Sequence, residues 1–266
     1  MVVQGRRTAR GRRVVLARGL WAAAEVAVTV GVVVLLLVVH QLWWTNREAG
    51  QGAERQVEAL EREWAEPAPG RSEQEPGVGE EPEGVVDPDG GGPGARDQVD
   101  GSDPGRQAPS RRSGLHRDQA YAVLRIPRLG VVAPVAQGVA KRGVLDKGYV
   151  GHYPGTAQPG QAGNFAVAGH RNTHGEPFRY INRLRSGDTI EVETRDAVFT
   201  YRVDKGLPQT SARDSGVIAA VPRSVVKPGY GYGGPGYYLT LTTCTPEYTS
   251  RYRLVVWGKL ASTRPR

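Results

Sequence analysis

From Trp21 to Trp44 the chain carries an apolar run broken only by Glu25 and His40 among titratable groups, and no other stretch limits its architecture so sharply. A helix of that length crosses the roughly 30 Å of bilayer hydrocarbon, where each backbone N–H and C=O must be bonded within the segment. Arg6, Arg7, Arg10, Arg12, Arg13 and Arg18 precede the run without one acidic residue. That asymmetry predicts a single-pass cell-membrane anchor with a cytoplasmic N-terminus and the remainder of the chain outside. Val26 to Val39 alone has the length of a signal-peptide core, but Gln41-Leu-Trp-Trp-Thr-Asn46 offers no small-residue cleavage site, which favours an uncleaved anchor.

Beyond the span, Asn46 to Glu66 reads as a short stalk or docking helix, with Val57, Leu60 and Trp64 on one face and Glu58 and Arg62 at pairing distance. From Pro67 onward the chain turns to Glu, Asp, Gly and Pro, a composition that cannot bury enough apolar surface to fold. The expected organisation is a basic tail over 1–20, a span over 21–44, a stalk helix over 45–66, a disordered linker over 67–119 and a folded domain over 120–261. Treated as a flexible coil, the segment after the span would hold that domain on the order of 45 Å from the membrane. The net charge of +8 is not gathered into an aromatic-lined basic stripe, so no nucleic-acid partner is expected.

The folded domain is β-rich. Strands are expected at Tyr121 to Ile126, Val131 to Val139, Asn164 to Gly169, Thr189 to Glu193, Val198 to Val203, Val217 to Val221, Tyr238 to Thr243 and after Arg253, with short helical turns in Lys141 to Tyr149 and Phe178 to Leu184. Pro228 to Gly236 reads as a flexible loop. Seven or eight short strands with little helix predict a mainly β fold, a closed or nearly closed barrel.

Chemistry concentrates on Cys244, the chain's one cysteine. With no second thiol it cannot form an internal disulfide and makes a poor zinc site, which leaves a buried inert thiol or a nucleophile. Arg253 follows nine positions later, across a short polar turn, and His170 ends the run Asn164 to Gly169. Arg251 is the rival guanidinium, but Arg253 immediately precedes an apolar strand. His174 lies four residues after His170, a metal-binding spacing on a helix, yet Arg171-Asn-Thr and Gly175 mark a loop, so no metal is expected. No cofactor motif occurs: the sequence lacks a phosphate-cradling glycine loop and a calcium loop. His152 is read as a packing or surface residue, and Tyr230, Tyr232, Tyr237 and Tyr238 either line a groove or decorate the loop before the cysteine strand.

Gly151-His-Tyr-Pro-Gly-Thr-Ala157, Asn164-Phe-Ala-Val-Ala-Gly-His-Arg171, Leu239-Thr-Leu-Thr-Thr-Cys244 and Arg253-Leu-Val-Val256 together resemble the sortases, most closely the class E sortases of actinobacteria. The resemblance spans about Ala120 to Leu260. It implies an eight-stranded sortase-type barrel with short helices and a cysteine transpeptidase in which Cys244 is the nucleophile, His170 the acid and base, and Arg253 the oxyanion and substrate donor. Thr243, Tyr153 and Tyr238 are candidates to contact the substrate. The implied reaction cuts a C-terminal sorting signal, of Leu-Ala-x-Thr-Gly or Leu-Pro-x-Thr-Gly type, between Thr and Gly. A thioacyl-enzyme then passes the secreted protein to an amine of a peptidoglycan precursor. With unperturbed thiol and imidazole, the thiolate–imidazolium form would be about one per cent of the enzyme at neutral pH. Two other readings compete: an L,D-transpeptidase-like cell-wall enzyme, whose Ser-x-Gly-Cys pattern this chain lacks, and a membrane-tethered binding module with an inert Cys244.

Overall fold

The computed structural model describes residues 6–66 and 118–266; the expected linker falls, but for its last two residues, outside this range. Helix α1 runs unbroken through Arg6–Ala65. It joins the expected span and stalk into one rod, because nothing between Trp44 and Asn46 interrupts helical geometry. Among the described residues it is the one helix long and apolar enough to cross a membrane. The following Pro67 disfavours helical backbone at Glu66, which is where the helix stops.

The remaining elements close into a barrel. The strands are β1 (Ala120–Ile126), β2 (Val131–Gln137), β3 (Val150–His152), β4 (Gly163–Ala168), β5 (Thr189–Glu193), β6 (Ala197–Ser211), β7 (Tyr237–Thr245) and β8 (Tyr252–Pro265). Their order around the wall is β1-β2-β3-β4-β7-β8-β6-β5. Closure removes free sheet edges. Strand alternation sends Leu124, Ile126, Phe165, Val167, Leu239, Leu241, Leu254 and Val256 into the barrel core. β6 pairs with β5 on one side and β8 on the other; the ladder between β6 and β8 is irregular at three places, and its first rungs, Ala197 with Pro265 to Thr200 with Ser262, carry β8 past the expected boundary at residue 261.

β1 is buried on both faces because α1 covers its outer side. Val57 and Leu60 pack with Ala120, Val123, Ala136 and Val144, and Trp64 and Tyr149 close the cluster. Burying Val57 and Leu60 contributes about 1.5–3 kcal/mol each. Glu61 pairs with Arg125 of β1, Tyr149 bonds Gln56 at 3.3 Å, and Arg266 lies over the Trp64 ring. Close approach depends on small residues: a Cβ on Gly148, whose φ is +80°, would stand 2.8 Å from the Ala49 carbonyl oxygen. The contacts begin at Asn46, whose amide donates to Glu176 at 2.6 Å. The expected coil spacer of about 45 Å is therefore wrong. The barrel is held by the helix itself, two residues past Trp44.

Three expected elements differ. Val217 to Val221 is not a strand: Ser215–Ile218 forms a 3-10 turn whose Val217 carbonyl accepts from the Trp257 indole at 3.1 Å and the Thr240 hydroxyl at 3.3 Å. Side chains satisfy the carbonyl that a strand neighbour would have bonded. Pro228 to Gly236 is folded down rather than loose, since Tyr232 stacks on Tyr238 at 4.2 Å and Arg223 bridges to Gly231. In Phe178 to Leu184 only Ile181–Arg183 is helical, a single 3-10 turn.

Candidate active site

Two strand registers bring the site together. β7 runs antiparallel to β8 with Cys244 directly opposite Arg253, so their Cβ atoms are about 5 Å apart on one face. On its other side β7 runs parallel to β4, paired up to Ala168 and Thr242. The Gly169 N–H extends that ladder by donating to the Thr242 carbonyl at 3.1 Å, and the next residue, His170, comes alongside Cys244. Leu239, Leu241 and Thr243 point inward, so Cys244, Thr242 and Thr240 face outward, toward the segment 212–236 that walls the outer side.

The turn after β4 is locked. A Cβ on Gly169 would meet the fully buried Phe178 ring at 2.7 Å, so glycine is required there. The Phe178 N–H donates to the His170 carbonyl at 3.0 Å. Arg171, 7% exposed, donates from Nη1 to the Cys244 carbonyl at 3.2 Å and to Thr245 Oγ1 at 2.8 Å, and its Nη2 reaches Glu247 at 3.5 Å. A buried guanidinium thus ties the exit of β4 to the end of β7.

His170 Nε2 lies 2.8 Å from Asp146 Oδ1. Burial pushes the imidazole below its ordinary value; the Asp146 hydrogen bond and charge oppose that without cancelling it. Burial acts to raise Asp146, but the hydrogen bond from His170 and the neighbouring His174, His170 and Lys141 charges outweigh it and hold the carboxyl below its usual range. The two shifts are compatible, because a neutral imidazole can donate Nε2–H to a carboxylate. Donation to Asp146 leaves Nδ1 as the acceptor nitrogen.

Arg253 Nη1 donates to the carbonyls of Ser250 and Tyr252 at 2.9 and 3.0 Å, and the side chain lines a cavity of about 190 Å³ with Tyr153, Thr242, Ser211, Asp214 and Val217. Arg251 lies before β8, exposed, stacked on the Tyr252 ring. Tyr153 lines the cavity beside Arg253, its hydroxyl 3.0 Å from Thr242 Oγ1. Thr243 does not line it: its side chain faces the core and donates to the Gly169 carbonyl at 2.8 Å, a support for the His170 turn. Tyr238 is six residues up β7, roughly 20 Å from Cys244, buried against Tyr232 and bonded to Gly234. His152 is fully buried in the wall. Sequence reasoning missed Asp146 and Arg171 as site residues. Nothing local marks Asp146, since its role arises from a contact across 24 residues. Arg171 stood beside the histidine, but only the parallel β4–β7 pairing shows what it holds.

Strand register sets Cys244 opposite Arg253 and brings the turn that carries His170 to the end of β7, and a thiol, an imidazole and a guanidinium converging there are suited to acyl transfer. A family model described as Sortase domain matches residues 124–261. Sortase SrtE1 of Streptomyces coelicolor is 41% identical over 273 residues, an alignment covering 99% of this chain and 64% of that relative, so the chain spans just under two thirds of its length. Sortase SrtE2 of the same organism is 32% identical over 262 residues, covering 96% of this chain and 88% of the relative. The crystal structure of sortase E1 from Streptomyces coelicolor with a tripeptide in the active site superposes with a TM-score of 0.53 at 53% identity, covering 56% of this chain and 92% of that one. With the barrel matched by family model and solved structure, and nearly the whole chain aligned to two such relatives, this protein belongs to the sortase family.

Proposed function

We propose that this chain is a membrane-anchored cysteine transpeptidase that cuts a C-terminal sorting signal between Thr and Gly and joins the upstream protein to a cell-wall amine. The observation that supports the reading is the pair of registers that set Cys244 opposite Arg253 and end β4 two residues before His170, alongside β7. The Cys244 thiolate adds to the threonine carbonyl, Arg253 stabilises the oxyanion, and the C–N bond breaks as the glycine amine leaves with a proton from His170. The acceptor amine, from a peptidoglycan precursor, then adds to the thioester. His170 takes its proton, and Cys244 departs as the thiolate. Tyr153 and the cavity beside Arg253 are where signal residues upstream of the threonine would lie. The tripeptide in the active site of sortase E1 from Streptomyces coelicolor supports a peptide substrate of this kind. The signal is of Leu-Ala-x-Thr-Gly or Leu-Pro-x-Thr-Gly type.

The arginines before Trp21 support an orientation with the N-terminus in the cytoplasm and the barrel outside, where secreted proteins and wall precursors are found. The test is mass spectrometry of the protein incubated with a signal peptide. A thioacyl adduct on Cys244, lost in Cys244→Ala, is expected. Peptide cleavage by Cys244→Ala at the normal rate would refute the assignment.

A further inference from the structure

The His170 turn carries more donors than acyl transfer uses. Asp146 Oδ1, His170 Nε2 and His174 Nδ1 all lie within 4.8 Å of one another. In a loop, unlike a helix, a spacing of four residues does not by itself repeat the donor direction. The loop does so by another route. His174, Gly175 and Glu176 have φ of +54°, +78° and +51°, a left-handed bend that folds the His174 ring back over His170, with ring centres 5.3 Å apart. Its Nδ1 is buried, makes no hydrogen bond and stands 3.8 Å from Asp146 Oδ1. A side chain held in backbone geometry that costs free energy, with a buried nitrogen left unbonded, points to a ligand.

We propose that Asp146, His170 and His174 form a three-ligand site for a divalent transition metal, zinc by its donor set, and that metal bound there disables His170. Two imidazoles and a carboxylate with one position open to water is a common zinc arrangement. Bonds of about 2.0–2.2 Å in a tetrahedron put donors roughly 3.4 Å apart. The 2.8 Å Asp146–His170 contact must open and the 3.8 Å Asp146–His174 gap must close, each by about half an ångström, while the His174 ring turns off the stack. Entry is through a cleft of about 420 Å³ between α1 and the Leu145–Lys147 turn, where the Glu48 carboxylate faces the same space as Asp146 and His174. Lys141, Lys147 and Arg55 lie nearby and moderate the affinity.

The consequence for the rate follows from the tautomer and rests on the proposed role of His170. Without metal, Nε2 carries the proton and Nδ1 the lone pair. Metal on Nε2 takes the lone pair of the other tautomer, in which the ring's one proton has moved to Nδ1, and a protonated Nδ1 can no longer accept a proton from the incoming amine. The metal would be a reversible inhibitor acting on the imidazole without requiring the thiol.

The decisive experiment is zinc titration by calorimetry of the full chain in detergent, free of any histidine tag, in a Cys244→Ala background. One zinc per chain is expected to bind although the thiol is gone. His174→Ala or Asp146→Asn in that background should weaken binding at least tenfold, the lower end of the loss seen when even an outer-shell partner is removed. Should His174→Ala fail to fold, cobalt loading of the unmutated chain decides instead: visible bands of a tetrahedral ion without a thiolate-to-metal charge-transfer band support the site, and their absence overturns it. No zinc binding by Cys244→Ala, or equal binding by His174→Ala, also overturns it. In the wild-type chain zinc should stop peptide cleavage, and a chelator should restore it. Zinc bound by these ligands with cleavage undiminished would refute the inhibition and count against His170 as the base, leaving the binding result to stand by itself.

Discussion

Acid should weaken this barrel before its carboxylates titrate, because of His152. The side chain is fully buried in β3. The Tyr121 hydroxyl can donate to Nδ1 at 2.7 Å, and Nε2–H can donate to the Ala157 carbonyl at 3.1 Å, so the neutral ring is satisfied on both sides. Burial pushes the imidazole from 6.5 down to about 4. In the unfolded chain His152 takes up a proton as pH falls below 6.5, while in the barrel it stays neutral until about pH 4. The unfolded state thus binds more protons in that window, so stability is complete above pH 6.5, falls through the window and levels off below it. At pH 4.5 the loss is about 2.5 kcal/mol, from 1.36 kcal/mol per pH unit. For a domain of this size that lowers the melting temperature by about 5–10 °C. The assay is thermal unfolding of wild type and His152→Gln between pH 7 and pH 4.5. His170, whose pKa is also lowered, contributes in the same range to both proteins, so the difference between the two curves isolates His152. The gap between them should shrink by about 2.5 kcal/mol on going to pH 4.5. Parallel curves would show that the buried ring does not carry the effect.

The active-site assignments make separate claims. His170→Ala and Arg253→Ala should each lower signal-peptide cleavage by about 10²–10⁴-fold, while Arg251→Ala, outside the register with Cys244, should stay within a few-fold in a steady-state assay; the reverse order for the two arginines would exchange their roles. Asp146→Asn should lower kcat by about tenfold or more with KM little changed, since it removes a contact that orients His170 and not one that holds peptide; a change confined to KM would contradict this. Leu60→Ala should cost about 2–4 kcal/mol of helix–barrel docking, read as faster amide hydrogen exchange in both α1 near residue 60 and Val144, and unchanged exchange there would refute the packing.

What could be read in advance followed the range of the interaction involved. Asn164 to Ala168 and Leu239 to Leu241 announce buried strands by composition, and each lies within the strand expected of it. Val217 to Val221 looked like another strand for the same reason. An apolar run becomes a strand only where a neighbour supplies a ladder, and here Trp257 and Thr240 satisfied the backbone instead. Position along the sequence suggests Thr243 and Tyr238 as substrate contacts, Thr243 because it adjoins Cys244 and Tyr238 because it follows a glycine-rich loop. The pleat sends Thr243 to the core, and Tyr238 is a strand's length away. Period-two alternation, applied outward from Cys244, would have excluded Thr243 without any coordinates. Asp146 could not be found that way, because its contact with His170 depends on how a turn between β2 and β3 lies against the exit of β4.

The docking of α1 changes how the anchor acts on the site. A flexible tether would decouple the barrel from the helix, and the catalytic turn would depend on the barrel alone. Here Asn46 bonds both Glu176 and the Gly175 N–H, so the turn that carries His170 and His174 is gripped on one side by the helix and on the other by Phe178 and Arg171. Gly148, next to the turn that carries Asp146, meets the same helix at Ala49. Both partners in the His170–Asp146 contact therefore rest on α1. Weakening the helix contact moves two supports of one hydrogen bond, and displacements near 1 Å at reacting groups cost about 10²-fold in rate. If His170 has the role proposed for it, the first residues beyond the apolar run help to set the geometry of the His170–Asp146 contact.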